Sequence, residues 1–179
     1  MLTVDIELAR SLLSYDPDTG ILRWKVRRGS HVMPGDVAGV TDNGAGYCRV
    51  KVQKKRIYTH RLIWAMMTGY WPEKHIDHVN RVRSDNRWGN LREAEVWQNG
   101  GNKSVMRRNI SGMKGVCTDN NGRYRARICV KGQKMGLGSF RSPESAADAY
   151  RKAAKHHFGE FAHYHTKGEP ALRPVGRKI

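Results

Sequence analysis

Acidic residues and cysteines are both scarce in this sequence. Of 179 residues, 16 are Asp or Glu against 33 Lys or Arg, a formal net charge of +17, and the isoelectric point is near 10.3. A field of that sign attracts polyanions and speeds encounter with them. The three cysteines, Cys48, Cys117 and Cys129, are far apart and form no Cys-x-x-Cys pair. That argues against a Cys-based structural zinc site and points to a reduced, cytoplasmic chain. No apolar run approaches the roughly 20 residues needed to span a bilayer, and no signal peptide is read at Met1. Of the two common polyanions, nucleic acid is therefore expected and a membrane is not. No internal repeat is found.

The basic excess that is present is uneven. Residues 1–103 carry 17 Lys/Arg and 11 Asp/Glu, net +6, while residues 104–179 carry 16 and 5, net +11. Composition makes the C-terminal part the stronger phosphate binder. The expected fold class is α+β, in two small parts. Each part is marginal on its own, because short pieces bury only about 60% of their unfolded surface.

Ile6, Leu8, Ala9, Leu12 and Leu13 are spaced as a short helix. Tyr15 to Gly20 is a turn by composition, and Ile21 to Trp24 a strand. Turn residues dominate 25–46. Tyr47 to Val52 alternates as a half-buried strand, with a basic hairpin tip at 54–56 and a returning strand over Ile57-Tyr58-Thr59. Those lysines and arginines suit a solvated face and a phosphate-contacting edge equally well. His60 to Met67 is a helix with an apolar face of Leu62, Ile63, Met66 and Met67, ended by Gly69. At its start, His60 fits a structural donor better than a ligand. Residues 74–80 read as a strand or tight loop, 81–88 as a polar loop, 90–92 as a short strand and 93–99 as a helix that Gly100-Gly101 breaks or caps.

Residues 104–111 form a polar, basic linker and the expected domain boundary. Lys114 to Thr118 is a strand, and Asn120-Asn-Gly122 is a hairpin signal. Arg123 to Val130 alternates strictly, with Arg123, Arg125 and Arg127 on one face and Tyr124, Ala126 and Ile128 on the other. A third strand runs over 134–140. Ser142 is an N-cap and Pro143 a first helical residue. The helix runs to about Phe158, with Ala147, Tyr150, Ala154 and Phe158 on one face. Residues 166–179 read as a tail.

The densest chemistry lies at His75, Asp77 and His78, followed by Asn90 and Asn99. Metal-assisted phosphodiester cleavage needs a base for water, hard oxygen ligands for a divalent cation and a means of stabilising the leaving oxygen. His78 suits the first need, and Asp77 and Asn99 suit the second. The spacing alone is a weak signal, since adjacent strand residues point to opposite sides. From composition alone, surface histidines in a basic protein explain it about as well.

The series His60-Arg-Leu-Ile-Trp, Ile76-Asp77-His78-Val-Asn80, Asp85-Asn86-Arg87, Asn90-Leu91-Arg92 and Asn99 resembles the HNH nucleases, in particular the phage and intron-encoded homing endonucleases. The resemblance covers about residues 55–103 and implies a ββα-metal core at about 60–103 inside a nuclease domain spanning 1–103. It implies that His78 is the general base, that Asn90 holds the first strand and orients His78, and that Asp77 and Asn99 are the protein ligands of one cation per site. An amide oxygen in the last ligand position favours Mg²⁺ or Mn²⁺ over Zn²⁺. His75 is a lesser candidate, for phosphate contact or packing. Asp85 fits a loop hydrogen-bonder better than a ligand.

The segment Ser111-Gly-Met-Lys-Gly-Val116, Gly122 to Ile128, Leu137-Gly-Ser-Phe140, Pro143 to Tyr150 and Phe158 to Ala162 resembles the APETALA-type DNA-binding domain of plant ethylene-response factors. Relatives of that domain occur in phage homing endonucleases. The likeness covers 112–165 and implies a three-stranded sheet laid into the DNA major groove. Arg123, Arg125 and Arg127 would then face DNA, with Lys114 and Lys134 beside them.

Together these readings describe a site-directed DNA endonuclease, phage-encoded and acting in the host cell. It would bind double-stranded DNA as a monomer and use no small-molecule cofactor. The alternative is a sequence-specific DNA-binding regulator with a silent nuclease fold. An RNA-binding module lacks a paired aromatic stacking platform.

Overall fold

In the computed structural model, residues 4–41, 44–103, 105 and 108–164 are described. The expected tail at 166–179 and part of the linker at 104–111 lie outside them. Contacts divide the chain into two compact units between Glu93 and Ala94, upstream of the boundary expected at 104–111.

The first unit begins with α1 (Ile6–Leu12), β1 (Leu13–Asp16) and β2 (Ile21–Trp24). Asp5 starts α1, its carboxylate accepting the N–H of Leu8 at 2.7 Å. The turn expected at 15–20 is shorter than composition suggests, because Leu13 to Asp16 pairs antiparallel with Ile21 to Trp24. Next come β3 (Val40–Thr41), β4 (Cys48–Val52) and β5 (Lys55–Tyr58), an antiparallel sheet in that order. On β4, Val50 and Val52 are buried and Lys51 is exposed, as alternation requires.

Helix α2 (Thr59–Thr68) is central to this unit. Leu62, Ile63, Trp64, Ala65 and Met66 are all buried, and Gly69 ends the helix at φ 84°. Met67, expected in the core, is exposed, and Trp64 takes its place, its ring 5.1 Å from that of Trp88. Arg10 of α1 donates from Nε and Nη2 to the carbonyl of Met66 at 3.1 and 2.6 Å. Its cation thereby serves the negative end of α2. Strands β6 (His75–His78) and β7 (Leu91–Ala94) form a two-stranded sheet. Ile76 and Leu91 join the core made by Leu13, Leu22, Val50, Leu62 and Ile63.

The second unit holds α3 (Val96–Asn102), β8 (Val116–Thr118), β9 (Tyr124–Val130), β10 (Gln133–Phe140) and α4 (Pro143–Phe158), then a 3₁₀ turn at Gly159–Phe161. The three strands are antiparallel, with β9 between β8 and β10. Helix α4 starts where Ser142 accepts the N–H of Ser145 at 3.2 Å. Ala146, Tyr150, Ala154 and Phe158 are its buried residues. Ala147, expected in that stripe, is only half-buried.

Helix α3 is not broken by Gly100-Gly101 but runs through them, closed at its start by the reciprocal Glu95/Gln98 box. The reason is close packing within this unit. A Cβ on Gly101 would stand 2.7 Å from the Phe158 ring, so the glycine admits an aromatic neighbour rather than ending the helix. The rings of Trp97 and Phe158 lie 6.0 Å apart, and the N–H of His163 donates to the carbonyl of Gly101 at 3.1 Å.

Candidate active site

Three of the residues picked out from sequence converge on the β6–β7 hairpin. His78 and Asp77 are buried at 3% and 6% exposure, and Asn90 is fully buried, whereas His75 is exposed. The chain turns directly after His78. Arg81 sits at φ 65° and returns its N–H to the His78 carbonyl at 2.9 Å.

Asn90 locks that turn. Its Oδ1 accepts the N–H of Asn80 at 2.9 Å, and its Nδ2 donates to the carbonyl of Asp85 at 2.7 Å. The N–H of Val79 also donates to the carbonyl of Asn90, at 2.9 Å. The amide therefore braces the loop that follows the first strand. Asp85 closes the loop from within, accepting Nδ2 of Asn80 at 2.7 Å and both Nε and Nη2 of Arg87 at 2.8 and 2.5 Å. The Arg87 bonds hold its carboxyl below the usual carboxylate range.

Asp77 and His78 face different partners, as adjacent strand residues must. Nε and Nη2 of Arg92 both donate to Oδ2 of Asp77, at 3.1 and 3.0 Å. Arg92 is itself buried, and sequence reasoning assigned it no role. Burying a carboxylate is costly without such a partner, and the Arg92 fork orients Asp77, a hard oxygen donor. That chemistry fits Mg²⁺ or Mn²⁺. Among the described residues no cluster of three or more His, Cys, Asp or Glu could hold a metal ion. A site here would have to include amide, water or substrate oxygens.

His78 lies in a box of rings. Its centroid is 5.0 Å from that of His60, edge to face, and 5.9 Å from that of Tyr47. His60 stacks on Tyr58 at 5.4 Å and lies 5.2 Å from Tyr47. Two guanidiniums cap the tyrosines on this face: Arg49 lies 4.5 Å over Tyr58 and Arg83 lies 4.9 Å over Tyr47. Burial pushes His60 down to about 3 and also lowers His78, where the Asn86 bond works in the opposite direction. Both imidazoles are therefore neutral at pH 7. His60, expected as a satisfied donor at a helix start, is instead a buried ring whose Nδ1 has no hydrogen-bond partner among the described residues.

Asn86 touches His78 directly, its Oδ1 lying 3.2 Å from Nε2. Sequence reasoning placed it in a polar loop without a role, although Asp85-Asn86-Arg87 stood among the motif residues. Asn99 lies half-buried on α3, in the second unit.

In that second unit, Arg125 and Arg127 stand on the exposed face of β9, with Arg123 just before the strand. Arg123 donates to Oγ and the carbonyl of Ser139 at 3.1 and 3.2 Å, and Arg125 to Asp119 at 3.2 Å. Arg127 is exposed and pairs in register with Gly136 of β10, and Lys134 is exposed. Lys114 is placed differently from expectation. Its Nζ donates to the carbonyl of Gly101 at 2.5 Å and so closes the end of α3.

Residues 57–100 match the family model for HNH endonuclease. Over 109 residues the chain is 31% identical to an uncharacterized HNH endonuclease of Acanthamoeba polyphaga mimivirus, a match covering 60% of this chain and 56% of that protein. The chain thus spans little more than half the length of the curated relative it matches. The family match takes in the end of β5, α2, the β6–β7 hairpin and most of α3, and it stops short of the β8–β10 sheet.

Proposed function

We propose that the chain is a site-directed DNA endonuclease of the homing type, phage-encoded and acting as a monomer in a bacterial host. It hydrolyses phosphodiester bonds with His78 as general base. The observation that carries this reading is the buried, neutral His78 beside an Arg92-paired Asp77, on a hairpin braced by Asn90, within the stretch that matches the HNH endonuclease model. Neutral imidazole is the form that can take a proton from water. That water then attacks the phosphorus, the P–O bond to the leaving oxygen breaks, the leaving oxygen takes a proton from solvent water, and the proton on His78 returns to solvent.

Asp77 and Asn99 are the proposed protein ligands of one Mg²⁺ or Mn²⁺. When bound, the cation supplies charge neutralisation at the scissile phosphate and the leaving oxygen. Arg92 holds the Asp77 carboxylate in one orientation. Asn90 keeps the post-strand loop closed, so that the His78 backbone cannot drift.

The β8–β10 sheet is the proposed targeting surface, of the APETALA type. Three arginines on one open face, with Lys134 beside them, suit phosphate contact or guanine readout by a guanidinium fork. One active site per chain gives one cut strand per binding event, so nicking is expected. Among the described residues no helix is long and apolar enough to cross a membrane.

The test is cleavage of supercoiled DNA from the native genome with Mg²⁺, Mn²⁺ or EDTA, by wild type and His78→Ala. Metal-dependent nicking, reduced by roughly 10²- to 10⁴-fold in the variant at unchanged DNA binding, supports the reading. Tight binding without cutting in any divalent metal would leave a DNA-binding regulator.

A further inference from the structure

A general base is useful only if its lone pair is on the nitrogen that faces the water. An isolated neutral imidazole exchanges between two tautomers, and the hydrogen bond at one nitrogen decides the state of the other. At His78 that bond comes from Asn86. Nδ2 of Asn86 donates to the carbonyl of Ser84 at 3.3 Å, which leaves Oδ1 as the atom directed at His78. An amide oxygen can only accept. At 3.2 Å from Oδ1, Nε2 must therefore carry the hydrogen, and the lone pair falls on Nδ1.

The position of Asn86 is set from outside the stretch that matches the family model. Three contacts reach its loop from residues 15–20. The hydroxyl of Tyr15 donates to the carbonyl of Asn86 at 2.8 Å, and the N–H of Trp88 donates to the carbonyl of Pro17 at 3.0 Å. Gly20, at φ 75°, lies so close that a Cβ would meet N of Arg87 at 2.4 Å and C of Asn86 at 2.6 Å. Neighbours made of backbone cannot swing aside, so only glycine fits there. Burial raises the Tyr15 phenol above its ordinary value, which keeps the hydroxyl a donor throughout the working pH range.

We propose that Asn86 is a positioning residue that holds the proton of His78 on Nε2 and directs the Nδ1 lone pair to the reacting water, and that the Tyr15–Gly20 turn is the clamp that keeps Asn86 in place. The proposal rests on His78 being the base, and it assigns to the N-terminal hairpin a part in cleavage.

Two measurements on the full chain test it. The first needs no variant: two-bond ¹⁵N–¹H correlation spectra of the ¹⁵N-histidine-labelled protein at pH 7.5 report which nitrogen of His78 is protonated. A signal with the hydrogen on Nε2, turning into a mixture in Asn86→Leu, is expected. A hydrogen on Nδ1 in wild type, or an unchanged pattern in Asn86→Leu, overturns the proposal.

The second measurement is nicking of supercoiled plasmid with Mn²⁺. Asn86→Leu should lower kcat by roughly 10- to 100-fold, as loss of a group that orients an imidazole does, at unchanged KM and DNA affinity. Asn86→Asp, which still accepts from Nε2, should restore most of it, and Gly20→Ala should show a smaller loss of the same kind. Equal kcat in wild type and Asn86→Leu, or no rescue by aspartate, overturns it. Absence of nicking by wild type would count against the nuclease reading, and the spectra would still decide whether Asn86 sets the state of His78.

Discussion

The β6–β7 hairpin and the β8–β10 sheet treat their polar side chains in opposite ways. In the first unit Asp77, His78, Asn80, Asn86, Asn90 and Arg92 are all buried, each bonded to a neighbour in the same loop or strand pair. In the second unit the arginines of β9 stand in solvent over a core of Ala126, Ala146, Tyr150 and Ala154. The difference follows from what each can do. Buried polar groups are costly unless fully bonded, and that cost is accepted where groups must keep one orientation, as proton transfer requires. Exposed cations are cheap and mobile, and phosphate contacts need charge more than a fixed angle.

The comparison is broken most severely at the ion pair. Arg92→Met leaves Asp77 buried without its guanidinium and should destabilise the first unit by about 3–5 kcal/mol. Arg127→Met on the open sheet should stay within about 0.5 kcal/mol. Urea unfolding followed by tryptophan fluorescence separates the two, since Trp24, Trp64, Trp71 and Trp88 lie in the first unit and Trp97 in the second. Equal midpoints for the two variants would show that the buried pair contributes no more than a surface charge.

A smaller effect is expected from acid. In the folded state His60 titrates at about 3 and His78 also below the ordinary 6.5, while the unfolded chain takes up these protons near 6.5. The unfolded state binds more protons in between, so this contribution to stability is complete above about pH 6.5 and is lost as pH falls toward 3. Each histidine adds at most about 1.4 kcal/mol per pH unit to the slope. Urea midpoints measured between pH 7 and 5 should fall, and His60→Phe should make the fall shallower. A flat profile would mean that neither imidazole is held neutral by burial.

The smallest effect concerns the open face. Arg127→Ala should weaken binding to all DNA sequences alike and reduce the salt slope of log K by about 1, if the residue contacts one phosphate. Its thermal midpoint should not move. An unchanged slope with a loss confined to particular sequences would instead point to base readout.

Short-range order was readable from the residues. Alternation along 123–130 marks the arginine face, and Ser142-Pro143 marks the start of α4, because strand and helix periods and caps act over a few positions. The long-range pairs were not readable in the same way. Alternation puts Asp77 and His78 on opposite sides of a strand but cannot name Arg92 and Asn86 as their partners.

Charge, the adjacent Asp77-His78 pair and the arginine stripe are determined by the amino-acid sequence alone, because each is composition, adjacency or local period, whereas Asn90 was marked by the resemblance to the HNH nucleases. Tertiary structure decided that α3 continues through Gly100-Gly101, where Phe158 of the same unit fills the space a Cβ would take. It decided that Lys114 closes α3 rather than joining the open sheet face. It also decided that Asn86, held by Tyr15 from 71 positions away, stands against His78. Each of these is a contact between residues distant in the chain, and nothing in the spacing of either partner specifies where the other will come to lie.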